Sequence, residues 1–385
     1  MKALILPGLY LQEIEATPRR SFHTGVPVFL AHATVHVGIP RLVLSWAQFV
    51  AFYGINAPSG LLAAAVRGFF DNGGELCYVY ALRPELGPMA ALDEALDQVE
   101  GLEDADLICL PDLSQAPQWF APLQRRVVEW CDAGAERFAI LDTLQGASPE
   151  AAAQQVAQLK GRSAAVYSPW LVVDLLDATD VTDAPSPLAI AVPPCGHIAG
   201  SYARNDRQRG VFYAPANRSL SGIRRLDGEV FATAQGRSQV NWIRSFPGRG
   251  LRVWGASTID PHDEWRHISV RRVLLTLQRW LQSALAPIAF EPSTRALWAR
   301  VRRTVGAYLE DLYRKGALAG ASPEQAFYLR CDDTTNTAAT REAGMLVAEI
   351  GIAPVAPAEF IVVRLTYSAG ELTLGSTNSP TTKKE

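Results

Sequence analysis

Apolar residues in this chain follow two periods. Short runs of about five, rich in β-branched and aromatic residues, alternate with longer stretches where apolar positions recur every three or four residues. Val26–Ala31 reads as a buried strand, and Ser45–Phe52 as a short helix with Ser45 as its N-cap. Gly60–Phe70 reads as a helix, stopped by the turn Asp71-Asn-Gly-Gly74. Cys77–Leu82 is a strand. The alternation then becomes regular: helix over Leu92–Glu100, strand over Asp106–Pro111, helix over Pro117–Ala133, strand over Arg137–Asp142, helix over Pro149–Leu159, and strand-like sequence through Ala164–Leu175. This order predicts an α/β fold, with a parallel sheet and crossover helices.

The second half is less regular. Residues 176–250 carry turn signals at Pro185, Pro187, Pro193-Pro194, Gly210 and Pro215, and read as irregular. Gly250–Gly255 is a strand. Asp263–Leu285 places Ile268, Val270, Val273, Leu274, Leu277, Trp280 and Leu281 on one helical face, with Arg266, Arg271, Arg272 and Arg279 mostly off it. Ser293–Lys315 does the same with Leu297, Val301, Val305, Tyr308 and Leu312, and stops at Gly316. A helical turn at Pro323–Tyr328 and strands at Phe327–Cys331 and Ala343–Glu349 complete the body.

Both termini read as arms. Near the C-terminus, Gly351–Pro357 is broken by Pro354 and Pro357, which fix φ and remove two backbone donors. The arm residues Glu359, Phe360, Ile361, Val362 and Val363 follow, in a strand read over Phe360–Leu365, with only a polar tail after it; the Ser/Thr/Asn end with Lys383 and Lys384 is expected to be disordered. The other end carries Leu4, Ile5, Leu9, Tyr10, Leu11 and Ile14 ahead of a polar stretch, Glu15–Arg20. A strand on an extended spacer can be lent to the open sheet edge of a neighbour. The expected organisation is a subunit with extended strand-bearing arms that complete sheets in neighbouring subunits. It has an N-terminal arm over 1–24, an outer α/β domain over 25–235, a C-terminal domain over 236–355, and an arm with tail over 356–385.

The 385 residues are 48% hydrophobic and 19% charged, with a formal net charge of −3. This balance gives no reason to expect a nucleic-acid partner. The distribution says more. Asp71–Glu150 holds 16 acidic and 4 basic residues, a net of −12, and Ser201–Gly316 holds 20 basic and 9 acidic, a net of +11. Such asymmetry suggests contact between oppositely charged surfaces. The five cysteines are widely spaced, form no CxxC pair, and read as reduced buried thiols. No uncharged apolar run is long enough to span a membrane, so no direct membrane insertion is expected.

The sequence offers little chemistry. It has no Walker A loop, G-x-G-x-x-G, HExxH or G-x-S-x-G. His32 and His36 are spaced i,i+4, but Ala31–Val37 alternates like a strand. His262, between Asp260 and Asp263, reads as a helix start. Asp142 ends a strand where α/β enzymes place acids, yet a capping role fits it better. Cys331-Asp-Asp-Thr-Thr-Asn336 reads as an Asx-type turn. No catalytic, cofactor-binding or metal-binding residue is assigned.

A series of short motifs resembles the tail sheath proteins of contractile phage tails and contractile injection systems. Pro7-Gly-Leu-Tyr-Leu-Gln-Glu-Ile14 is similar to that family's opening arm, and Gly68-Phe-Phe-Asp-Asn-Gly-Gly74 to one of its turns. Tyr167–Trp170, Val192–Pro194, Ala199-Gly200, Ala203–Asp206, Arg209–Val211 and Ala214–Asn217 resemble its central block. Asn241–Ile243, Val253–Ala256, Val270–Arg272, Phe290–Pro292, Leu297-Trp298, Gly316–Leu318, Ala326-Phe327 and Cys331-Asp332 resemble its C-terminal domain. Pro357–Ile361 resembles its closing arm. Each motif is weak alone; their order along the chain carries the resemblance.

The resemblance implies a structural polymer subunit and not an enzyme. It implies hexameric rings stacked helically around an inner tube protein, with exchanged arms, possible sheath paralogues, and baseplate and terminator proteins as further partners. Such a sheath assembles in the bacterial cytoplasm and contracts to drive the tube through a target envelope. It is a component of a phage tail or a released tail-like particle. Arg249, Arg252 and Arg302 are candidate contacts to the tube or to a neighbour. The rival reading is an α/β hydrolase-like or phosphate-binding enzyme using residues 106–175.

Overall fold

The computed structural model describes residues 22–55, 61–113, 117–134, 136–174, 189–228, 239–288, 290–355, 361–368 and 371–376, the last two as backbone. The elements run β1 (Pro27–Ala31), β2 (Arg41–Val43), α1 (Trp46–Tyr53), α2 (Leu61–Asp71), β3 (Cys77–Ala81), α3 (Pro88–Glu100), β4 (Leu107–Cys109), α4 (Pro117–Asp132), β5 (Phe138–Asp142), α5 (Pro149–Gln158) and β6 (Ala164–Ser168). Then come β7 (Trp170–Asp174), β8 (Ala189–Val192), α6 (Cys195–Arg209), β9 (Arg225–Asp227), β10 (Val240–Phe246), β11 (Gly250–Trp254), α7 (Ile268–Leu285) and α8 (Arg295–Arg314). The chain closes with α9 (Pro323–Ala326), β12 (Phe327–Arg330), α10 (Ala338–Glu342), β13 (Met345–Ile352), β14 (Ile361–Ser368) and β15 (Glu371–Ser376).

Eight strands form one sheet in the order β11-β10-β6-β5-β4-β1-β3-β2. Its inner pairs are parallel, and β2 and β11 close the two edges in antiparallel sense. β1, β5 and β6 are buried along their whole length, which is why they read as unbroken apolar runs. Alternate residues feed two cores. Phe29, Val79, Cys109, Ile140 and Tyr167 face the layer of α1, α2 and α6. Val28, Tyr80, Ile108, Leu141 and Val166 face the layer of α3, α4 and α5. The predicted parallel α/β arrangement is therefore present, and Ser45 does cap α1 through the Gln48 amide at 3.2 Å. β10 and β11 belong to this same large sheet, across the expected division near residue 235.

Three expectations need correction. The stretch read as irregular contains α6, a fifteen-residue helix. It shows no apolar stripe because it is enclosed on nearly all sides until its last turn, between α2 and the sheet, and close approach there selects small residues. A Cβ at Gly196 would lie 2.2 Å from the Ala65 carbonyl oxygen, and one at Gly200 would lie 2.3 Å from that of Phe69. Next, Arg271, Arg272 and Arg279 of α7 are buried, although the sequence places them mostly off its apolar face. α7 touches the large sheet with one side and α8 with another, so it has little free surface: Ile268 and Leu275 join the first core, while Leu274, Leu277 and Leu281 join a third. Last, the sequence after Arg364 is not all tail. β14 runs on to Ser368 and turns back as β15.

The third core lies between α7, α8 and a four-stranded antiparallel sheet ordered β12-β13-β14-β15. Trp280 of α7 stacks on Tyr308 of α8 with ring centres 3.8 Å apart. Leu346, Ala348, Ile350 and Ile352 press one face of β13 into this core.

Candidate functional site

The polar residues weighed for chemistry are used to hold backbone. Asp142 accepts the Cys195 amide at 2.9 Å, at the start of α6, and burial pushes its carboxyl up to about 7 against the pull of that hydrogen bond. Asp332 accepts the Thr334 amide at 2.8 Å, and Asn336 exchanges two hydrogen bonds with Val347 of β13, at 2.9 and 2.7 Å. The Cys331–Asn336 turn is thus an Asx-type clip that fastens β12 to β13. His262 and Asp260 form a turn of their own, with the amide and ring nitrogen of His262 both 2.8 Å from Asp260 Oδ1. His32 is held by Asp112 through its amide at 2.7 Å. Its i,i+4 partner His36 is in the left-handed region, packed on Phe52 and Tyr53 instead. Among the described residues no group of three His, Cys, Asp or Glu could hold a metal ion. All five cysteines are buried and free.

The most heavily bonded polar cluster lies where the chain enters the body. Asp106 receives the Gly25 amide at 3.0 Å and the Val26 amide at 2.6 Å, so it fixes the approach to β1. Its Oδ2 also takes Arg272 Nη2 at 3.0 Å. The same guanidinium grips Asp206 of α6 with two bonds, 2.9 and 2.6 Å. Burial opposes the Arg272 charge, but the two carboxylates outweigh it and hold the group protonated. Two turns further along α7, Arg279 donates to the His23 carbonyl at 2.5 Å and lies over the ring of half-exposed Phe22. The first described residues are thereby tied to the start of β4, to α6 and to α7 at once.

The C-terminal element is held differently. Its linker begins fixed: the Ala319 amide donates to the Ala353 carbonyl at 2.7 Å, and the Val355 amide to the Ala317 carbonyl at 3.0 Å. Beyond it, β14 lies along β13, with Ile361 opposite Ile352, Val362 opposite Gly351 and Val363 opposite Ile350. β15 then covers the other edge of β14. Within this one chain, Ile361, Val362 and Val363 thus pair with their own subunit. Glu359 and Phe360, and the N-terminal set Leu4, Ile5, Leu9, Tyr10, Leu11 and Ile14, lie outside the described residues.

Of the three arginines singled out, the structure brings two together. Arg249, in the β10–β11 turn, and Arg252, in β11, both hold Asn217, which receives Arg249 Nη2 at 3.0 Å on its side chain and Arg252 Nη1 at 2.8 Å on its carbonyl. Arg302 is apart, on α8, donating to the Cys331 carbonyl. The buried tie of Arg272 to Asp206 was missed as a tie, although both partners stand in quoted motifs, Val270–Arg272 and Ala203–Asp206. Asn241, in another, bridges strands: it donates to the Val166 and Ser257 carbonyls at 3.2 and 2.7 Å and accepts the Ser257 amide at 2.8 Å.

A rigid α/β body whose motif residues clamp backbone, with a small open-edged sheet at its end, is the design of a structural assembly subunit. Comparison with known proteins makes this specific. Residues 88–259 match the phage tail sheath protein central domain, and residues 260–368 match the phage tail sheath C-terminal domain. The helical sheath of the anti-feeding prophage in its contracted state superposes with a TM-score of 0.73 at 30% identity, covering 93% of this chain and 98% of that one. The contracted PVC sheath complex of an extracellular contractile injection system gives 0.70 at 26%, covering 94% and 97%. A putative prophage major tail sheath protein of Pseudomonas aeruginosa (strain UCBPP-PA14) is 23% identical over 186 residues, 46% of this chain and 47% of that protein. The chain spans less than half the length of the curated relatives it matches. It belongs to the phage tail sheath family, a family of structural proteins, and its solved relatives are sheaths of contractile particles. The family match ends at Ser368, with β14, and β15 lies beyond it.

Proposed function

We propose that this chain polymerises as stacked hexameric rings around an inner tube and shortens to drive that tube through a target envelope, as a component of a phage tail or released tail-like particle. The observation that supports it most is the four-stranded sheet at the end of the body. β12 and β13 are fastened to α8 and α10, whereas β14 and β15 reach β13 only after a linker anchored at Val355. Antiparallel main-chain pairing of this kind is indifferent to which copy supplies the strand. The β14–β15 hairpin of one subunit can take the same place on β13 of the next, and the N-terminal arm can add at a remaining edge. Exchanged strands keep their hydrogen bonds while the bodies slide past one another, so the polymer can change length without falling apart.

The test is reconstitution. Coexpressed with its tube and baseplate proteins, the chain should give tubes of uniform diameter in negative stain, in a long and a short form. Monomers under all such conditions would reject the sheath function. A cysteine pair at Val347 and Thr366, opposite each other in the β13–β14 register, should crosslink between subunits in the assembled particle and within the subunit in the free chain. Crosslinks only within subunits, in assembled particles, would reject strand exchange while leaving the sheath itself intact.

A further inference from the structure

The two charge segments found in the sequence become two faces. Arg204 and Arg209 lie in the last two turns of α6, Arg218 follows in the next loop, Arg249 lies in the β10–β11 turn and Arg252 in β11. They form one continuous surface. Arg204 Nη2 donates to the Ser219 carbonyl at 2.6 Å, and Ser219 bridges to Arg252 in the β11 edge. Arg218 Nη2 donates to Asn205 Oδ1 at 2.9 Å, while Arg249 and Arg252 share Asn217. Arg209 covers the Tyr213 ring at 4.0 Å, and the Tyr213 carbonyl accepts from Asn205 at 2.9 Å. Among the described residues none of these five arginines pairs with a carboxylate, although nearby Arg207 reaches Glu75 at 2.8 Å and Arg224 reaches Asp174. Burial, and then repulsion from neighbouring arginines, pull Arg204 and Arg218 below the ordinary arginine value. So much uncompensated charge of one sign on one surface is a cost that the free subunit carries.

The acidic counterpart lies across the molecule. Asp97 and Glu100 stand exposed on α3, and Glu103 and Asp104 follow in its closing turn, also exposed. Among the described residues Asp97, Glu100 and Asp104 form no ion pair, unlike Asp93 and Glu94 one turn earlier, which hold Arg126 and Arg83 at 2.6 and 2.7 Å. The arginines sit on the α6 layer and its sheet edge, whereas α3 belongs to the opposite layer. The eight-stranded sheet stands between them, so neither face can neutralise the other within one chain.

We infer that the arginine face of one subunit docks on the α3 acidic face of another copy of the same chain. Because the two faces differ, the contact is head to tail, and each subunit that docks offers a fresh arginine face to the next. Such a contact propagates into rings or helices and does not stop at a dimer. This rests on the sheath function proposed above and names one of the surfaces by which its subunits meet.

Charge exchange tests it. Arg209→Glu with Arg249→Glu reverses one face, and Asp97→Lys with Glu100→Lys reverses the other. Lysine near the α3 C-terminus suits the helix dipole, so the second pair should fold well. Each reversal alone should cut the sheath yield on tube about tenfold at low salt, and wild-type assembly should weaken as salt rises. The chain carrying all four changes has complementary faces again, with signs exchanged, and should recover to within about twofold of wild type. Normal sheath yield from either single-face reversal would overturn the contact and leave the sheath function standing. Loss with the arginine reversal that the fourfold chain does not rescue would overturn it too, and would give the arginine face to a different partner such as the tube. A wild-type chain that forms no sheath fails the earlier proposal. Here the contact is read separately, by mixing Arg249→Cys and Asp97→Cys chains at low salt, where absence of a crosslinked heterodimer overturns it.

Discussion

Arg272 and Asp206 meet in two parallel hydrogen bonds, 2.9 and 2.6 Å, with 2% and 8% of their surfaces exposed. The pair joins α7 to α6, and through Asp106 it reaches the amides that start β1. Removing one partner strands the other charge in the interior. Asp206→Asn or Arg272→Met should therefore cost about 3–5 kcal/mol, read from denaturant unfolding. Replacing both with apolar residues of similar size should cost much less than either single change. Equal losses from single and double variants would show that packing, not charge, holds this junction.

The α2–α6 crossing should be intolerant of one methyl group. In Gly196→Ala the new carbon would meet backbone atoms of Ala65, which no rotamer change can clear. The expected loss is on the order of 2–3 kcal/mol. Gly101→Ala, at φ −72° with its nearest neighbour 3.7 Å away, is the matched control and should be close to neutral. A Gly196→Ala protein with unchanged melting would mean the two helices are free to part.

Stability should depend on pH through three buried groups pulling in opposite senses. Burial raises Glu136 from 4.5 to about 7, against Arg137, Arg279 and a bond from Gln282, and raises Asp142 from 3.8 to about 7. Each keeps its proton in the folded chain where the unfolded chain has lost it. Their contribution therefore falls as pH rises from about 4 to 7. His197, lowered by burial from 6.5 to about 4, acts the other way, and its contribution falls as pH drops from 6.5 toward 4. Glu136→Gln and Asp142→Asn should each make stability near pH 7 better relative to pH 5, by on the order of 1–3 kcal/mol. Urea titrations at the two pH values measure the difference directly.

The alternating strands and helices were legible because β1, β5 and β6 are buried on both faces and carry apolar or aromatic residues up to a polar last position, Asp142 in β5 and Ser168 in β6. α6 was not legible. A helix enclosed on nearly all sides loses the stripe that marks an amphipathic one, and its glycines and alanines imitate a loop. The arginine tie escaped for a related reason. A charged residue on a helix normally reads as solvated, and only Asp106 and Asp206, distant in sequence, make Arg272 an interior group. The turn at Cys331–Asn336 was readable from local chemistry alone, whereas the amide that Asp142 holds belongs to Cys195, 53 residues further on, and only the fold brings it there. Whether β14 stays on its own β13 could not be read from the sequence, since pairing with a second copy uses the same residues.

The C-terminal hairpin should serve assembly and not folding. A chain ending at Ala356 keeps β12 and β13, whose inward face packs on α8 in the third core. It should unfold cooperatively, with an ordinary helical circular dichroism spectrum, and form no sheath. Loss of the folded spectrum would place β14 and β15 inside the folding unit.

Linker length should control contraction separately. Val355 is pinned to Ala317, so two residues inserted just after it lengthen only the reach to Ile361. Extended sheaths should still form, and mild urea that shortens wild-type particles should leave them long. Normal shortening in the micrographs would remove the mechanical role of the linker.

α7 has a further consequence. It walls the first core with Ile268 and Leu275, the third with Leu274 and Leu277, and steadies the entering chain with Arg279. α7 thus runs as a beam through both cores and links the central and C-terminal parts of the described structure. In the sheath proposed above, work would then come from how whole subunits change neighbours, with each body turning as a cog turns.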